Sequence, residues 1–200
     1  MSRSALVLIA VLAACHAGAP PPSPPTPTSA LEAIYRARTD SARLNYTPAD
    51  VHFMTGMIGH HRQALEMASL AESHGAGSAV VTLAARITNA QQDEIATLEQ
   101  WLSDRGLPLP EPDAHLHMPG MLTPAQMREL DAARGPAFDQ RFLRFMIQHH
   151  QGAVTMVHEL FGTDGAAQNE AVFKLASDIQ VDQITEIARM ELMLQEMTPS

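Results

Sequence analysis

One unit is written twice in this chain, and that repeat limits the fold more than any other feature. Phe53 to Ala68 reads FMTGMIGHHRQALEMA and Phe142 to Val157 reads FLRFMIQHHQGAVTMV, so that Phe, Met, Ile, His, His, Ala and Met recur in place. Ala84 to Leu102 and Ala176 to Leu194 form a second matched pair, sharing Ala84/Ala176, Ile87/Ile179, Gln91/Gln183, Glu94/Glu186, Ile95/Ile187 and Ala96/Ala188. Each unit is a His-His segment, a break (GAGS at Gly75 to Ser78, GTDG at Gly162 to Gly165) and a Gln-x-x-Glu segment.

The period inside these segments is helical. Phe53, Met57, His60, Ala64 and Met67 fall on one stripe, as do Phe142, Met146, His149, Ala153 and Met156. Thr47-Pro48 followed by Asp50 supplies a cap, a first-turn proline and an acid in the order of a helix start. Aromatic residues make up only 4% of the chain, and its apolar content comes largely from Ala, Leu and Met, which favour helix. Two helical hairpins bury their apolar stripes by packing together, which predicts an all-α fold built as a four-helix bundle. The expected bundle covers 31–198, with repeat one at 47–104, a crossover at 105–135 and repeat two at 136–198. A further helix is expected at Leu31 to Leu44. In the Pro-rich crossover, a short helix opens at Thr123-Pro124, with Gln126 completing a capping box.

Ahead of the bundle, Arg3 and the apolar run Ala5 to Ala14 have the form of an export signal, too short to span a bilayer. The only cysteine, Cys15, ends the run in Leu12-Ala13-Ala14-Cys15, which resembles a bacterial lipoprotein signal in which that cysteine is lipidated. The alternative is cleavage after Ala17-Gly18-Ala19, which discards it. The expectation is a signal at 1–15, a Pro-rich linker at 16–30 and an envelope lipoprotein held at the membrane by its lipid alone. A net charge of −9 without a basic run excludes nucleic acid as a partner, and one cysteine excludes a cysteine-based metal site.

The histidines are then the residues to explain. His60 and His149 face the interior, His61 and His150 lie on the neighbouring stripe, and Met57 and Met146 stand one turn back from each pair. Glu94 and Glu186 also point inward, where with Gln91 and Gln183 they can accept from the imidazoles as a second layer. Four histidines in two matched pairs read as metal ligands, the alternative being a hydrogen-bonded polar core. His115, His117, Met118 and Met121 lie within HLHMPGM of the crossover, and imidazole with thioether selects copper, Cu(I) above all; the alternative is a solvated Pro-Gly turn. His16, His52 and His74 read as surface residues and His158 as an accessory ligand. Met67, Met127, Met156, Met190, Met193 and Met197 read as core filler.

Four segments in order, FMTGMIGHHRQALEMA, ITNAQQDEIATLEQWL, HLHMPGMLTPAQMREL and FDQRFLRFMIQHHQGAV, resemble a bacterial family known as domain of unknown function three-hundred-and-five. The resemblance covers about Tyr46 to Met197. It implies a ferritin-like four-helix bundle, export to the envelope and, in some members, copper binding through His and Met linked to copper tolerance. One departure bears on chemistry: ferritin-like di-iron enzymes place Glu three residues before the ligand histidine, where this chain has Met57 and Met146.

The leading expectation is therefore a copper-binding envelope protein without catalytic residues that buffers the ion or hands it to an envelope partner. Zinc or iron are the other candidate ions. A metal-dependent redox enzyme on the same bundle and a metal-free structural bundle stand as alternatives.

Overall fold

The computed structural model describes residues 27–111 and 118–197. They form six helices and no strand: α1 Pro27–Leu44, α2 Pro48–Ser73, α3 Ser78–Ser103, α4 Pro124–Ala132, α5 Pro136–Phe161 and α6 Glu170–Met197. Two units are separable, Met1–Ala37 and Arg38–Ser200, and the four long helices belong to the second. α1 begins one turn earlier than Leu31, because Pro27 is tolerated in a first helical turn, where its missing N–H costs nothing. The export signal, Cys15, His16, most of the Pro-rich linker, His115 and His117 lie outside the described residues. No helix among the described residues is long and apolar enough to cross a membrane.

Both Thr-Pro helix starts form as their sequences dictate. The Thr47 side chain accepts from the Asp50 N–H while Asp50 answers to the Thr47 N–H, and Thr123 and Gln126 do the same for α4. α2 packs on α3, α5 on α6, and α2 on α5.

The apolar core is in two halves. One gathers Phe53, Met57, Leu98, Trp101, Met156, Leu160 and Ile179; the other gathers Met67, Leu83, Ile87, Phe138, Phe142, Met146 and Met190. A large apolar side chain taken fully out of water contributes roughly 1.5–3 kcal/mol, so both halves hold the helices together. α2 and α6 run from the first half to the second, and α3 and α5 run the opposite way. α3 and α5 therefore point in the same direction, and the segment from Asp104 to Gly135 must cross the length of the molecule to join them.

A second symmetric pair reinforces the repeat. The buried Asp50 carboxylate accepts from the Ala167 N–H at 2.7 Å, in the loop between α5 and α6. Its counterpart Asp139 accepts from the Gly77 N–H at 3.1 Å through both oxygens, in the loop between α2 and α3. Each hairpin thus pins the turn of the other. His74, expected at the surface, is buried instead: it accepts from the Ser73 hydroxyl and donates to Asp131, tying the end of α2 to the end of α4.

Candidate metal centre

Between the two half-cores every long helix carries polar residues: His60 and His61 on α2, Gln91 and Glu94 on α3, His149 and His150 on α5, Gln183 and Glu186 on α6. The four imidazoles are fully buried. The His60 and His149 rings are in contact at 3.8 Å between centroids, and His61 and His150 flank them at 6.2 Å. The repeat thus closes on itself, with one histidine pair meeting the other across the α2–α5 contact.

Partner chemistry fixes how three of these rings are protonated. A carbonyl and a carboxylate can only accept. His60 Nε2–H donates to the Pro119 carbonyl at 3.1 Å, His61 Nε2–H to Glu94 at 2.7 Å and His150 Nε2–H to Glu186 at 2.8 Å. In the neutral ring Nδ1 is then a bare lone pair, and all three Nδ1 atoms are buried without a hydrogen-bond partner in the protein. His149 has no hydrogen bond at either nitrogen, the His60 carbonyl lying nearby but short of bonding geometry. An oxygen behind the ring that holds one nitrogen protonated and leaves the other as a donor is how proteins prepare histidine for a metal.

Electrostatics keep the central rings neutral. Burial, with His61 beside it and His150 beyond, pushes His60 down to about 3 from 6.5, although the Pro119 carbonyl pulls the other way. Burial, with His60, His150 and His61 around it, holds His149 well below its usual range. The unfolded chain takes up protons near 6.5, whereas folded His60 does so only near 3. Stability present above about pH 6.5 is therefore lost as pH falls through that interval. Thermal melts of the metal-free protein should show Tm dropping between about pH 6.5 and about pH 4; a constant Tm across that range would contradict the neutral buried pair.

The other expected residues divide. Met57 and Met146 are fully buried, one in each half-core. Glu94 and Glu186 do meet the rings, with their side chains 13% and 10% exposed, and form the solvent edge of the layer. Gln91 and Gln183 make no hydrogen bond to the rings. They are buried, yet both polar atoms of Gln91 and the Gln183 oxygen lack partners. The hydrogen bonds to the rings come instead from Glu94 and Glu186, three residues further along each helix. His158 points outward and bonds Gln180, away from the layer. Outside the layer, a groove of about 560 Å³ between α3 and α6 exposes Asp93, Glu94, Asp178 and Asp182. Burial, with Glu94, Glu186 and Asp178 nearby, pushes Asp182 up.

The crossover supplies what the sequence did not announce. Met118-Pro119-Gly120 lies directly on α2 and α5, close enough that a β-carbon on Gly152 would stand 2.0 Å from the Pro119 oxygen. Gln63 clamps Leu122 through both its amide atoms, and Gln148 holds the Gly120 carbonyl. Met118 is half-buried against Gly56, and Met121 is half-buried beside it in sequence. A backbone acceptor such as Pro119 has no residue code; only Gly152, which faces it, carries a trace in the sequence. Among the described residues, no three His, Cys, Asp or Glu side chains converge to hold an ion. The layer is thus unlike a closed four-ligand zinc site. Its donor set, bare imidazole nitrogens between buried thioethers, suits a soft ion.

Fold and site together define an all-helical protein with a buried imidazole–carboxylate layer crossed by a loop. Residues 50–194 match the family described as Domain of unknown function (DUF305), and the chain belongs to it. A DUF305 fragment from Deinococcus radiodurans is 33% identical, with a TM-score of 0.67, 76% of this chain and 98% of that one being covered. A DUF305 protein from Streptomyces coelicolor is 28% identical, with a TM-score of 0.67 and coverage of 74% and 93%. CopM in its Cu(I)-bound form is 29% identical, with a TM-score of 0.62 and coverage of 75% and 98%; CopM also has Cu(II)-bound, Ag-bound and apo structures among those similar to this chain. No curated protein matches.

Proposed function

We propose that this chain is an exported, lipid-anchored envelope protein on a ferritin-like bundle that binds copper, buffering it or passing it to an envelope partner without turnover. The observation that carries the reading is the set of buried Nδ1 lone pairs on His60, His61 and His150, each ring held from behind by an oxygen. His149 completes the group, and Met57 and Met146 bring soft sulfur to either side. The likeness to CopM, solved with Cu(I), Cu(II) and Ag, supports the same ion class. The single long crossover and the shared direction of α3 and α5 support the ferritin-like connection. Cys15 is the residue proposed to carry the lipid, and Met118, Met121, His115 and His117 are proposed to capture the ion.

Titrating the purified chain with Cu(I), Cu(II) and Zn(II) tests the function. Cu(I) should bind tighter than about micromolar and tighter than zinc; no ion binding tighter than about micromolar would overturn the reading. Glu94 and Glu186 act as positioning residues, so Glu94→Gln or Glu186→Gln should weaken Cu(I) about 10- to 100-fold. An unchanged affinity in both variants would show that the carboxylates play no part.

A further inference from the structure

Beside the histidine layer, at the outer end of one half-core, lies a cavity of about 490 Å³ lined by His52, Phe53, Met118, Pro119, Met156 and Glu159, among others. Its methionines meet over a gap in the helix surface. A β-carbon on Gly56 would stand 2.6 Å from Met118 Cε, 3.2 Å from its sulfur and 3.3 Å from Met156 Cε. Glycine at this position therefore makes room for both thioether ends. His52 is one turn before Gly56 on the same helix and exposed, so its ring is free to turn into the cavity. Glu159 adds a negative charge at the rim. Pro119, which lines the cavity, is also the residue whose carbonyl holds His60.

We infer that this cavity is a second soft-cation site, distinct from the histidine layer, in which Met118, Met156 and His52 bind a monovalent Cu(I)- or Ag(I)-type ion. Two thioethers and an imidazole select such an ion over hard cations. The inference rests on the soft-ion reading above and adds to it Met156 and His52, which the sequence alone assigned to core and surface.

Silver, which stays monovalent, is the probe. The full chain loaded with Ag(I) is followed by native mass spectrometry and by the methionine methyl resonances. The Met118 and Met156 methyls should shift, and the double variant M118L/M156L should hold one ion fewer than wild type. Leucine keeps the volume and apolarity of methionine, so the fold survives. His52→Ala, an exposed change, should weaken that ion about tenfold or more, as loss of a ligand does. Replacing His149 should leave it in place. The inference is overturned if the double variant and H52A bind as much Ag(I) as tightly as wild type, or if only the Met57 and Met146 methyls respond. Should wild type hold no Ag(I) at all, the soft-ion function falls with it.

Discussion

Gly152→Ala is expected to unfasten the crossover from α5 and to lower stability by about 3 kcal/mol or more, which for a chain of this size is a Tm drop on the order of 6–12 °C. The added β-carbon would stand 2.0 Å from the Pro119 oxygen and 2.6 Å from the Gly120 Cα. These are backbone atoms with no rotamer to escape into. Gly120 cannot yield readily, since its φ of +77° suits glycine and its own β-carbon position is filled by Gln148 and Gly152 backbone. Gly56→Ala provides the comparison: its β-carbon meets only the flexible ends of Met118 and Met156, so its cost should be much smaller. The effect reaches the metal centre, because a displaced Pro119 deprives His60 of its acceptor. Thermal melts and Cu(I) titrations of both variants check this. Equal Tm values for the two would mean that the crossover is not seated on α5 as described.

His149→Leu is expected to move stability and binding in opposite directions. His149 is wholly buried, and neither ring nitrogen has a hydrogen bond. An uncompensated buried polar group costs about 1–3 kcal/mol, and leucine removes it at similar volume. The metal-free variant should therefore melt higher than wild type. Cu(I) affinity should fall by more than about 100-fold, since the loss is of a ligand rather than of a group behind one. A purely structural polar core predicts the reverse: a lower Tm and unchanged metal behaviour. Measuring both quantities on one variant separates the two accounts.

The sequence carried the helical layout and most of the site because both are written as side-chain types at a fixed period, twice. His60 and His149 meet because equivalent positions on α2 and α5 face each other, and Glu94 and Glu186 reach His61 and His150 for the same reason. Where recognition passes through the backbone, periodicity is blind: the Pro119 carbonyl, the seat at Gly152 and the Asp50 and Asp139 clamps on the hairpin turns depend on loops whose course no stripe encodes. Gln91 and Gln183 show the opposite limit, sharing a stripe with the glutamates without hydrogen-bonding the rings. His74 shows that a histidine without a counterpart in the repeat can still be buried, when helix ends supply its partners.

The central claim is that His60, His61 and His150 present Nδ1 to copper while oxygen holds Nε2–H. Long-range proton–nitrogen NMR of the histidine rings, before and after Cu(I) loading, reads this atom by atom. The metal-free protein should show hydrogen on Nε2 of these three rings, and Cu(I) should move the Nδ1 resonances while the Nε2–H groups persist. Unmoved Nδ1 resonances in a chain that has taken up Cu(I), or hydrogen found on Nδ1 before loading, would contradict the account.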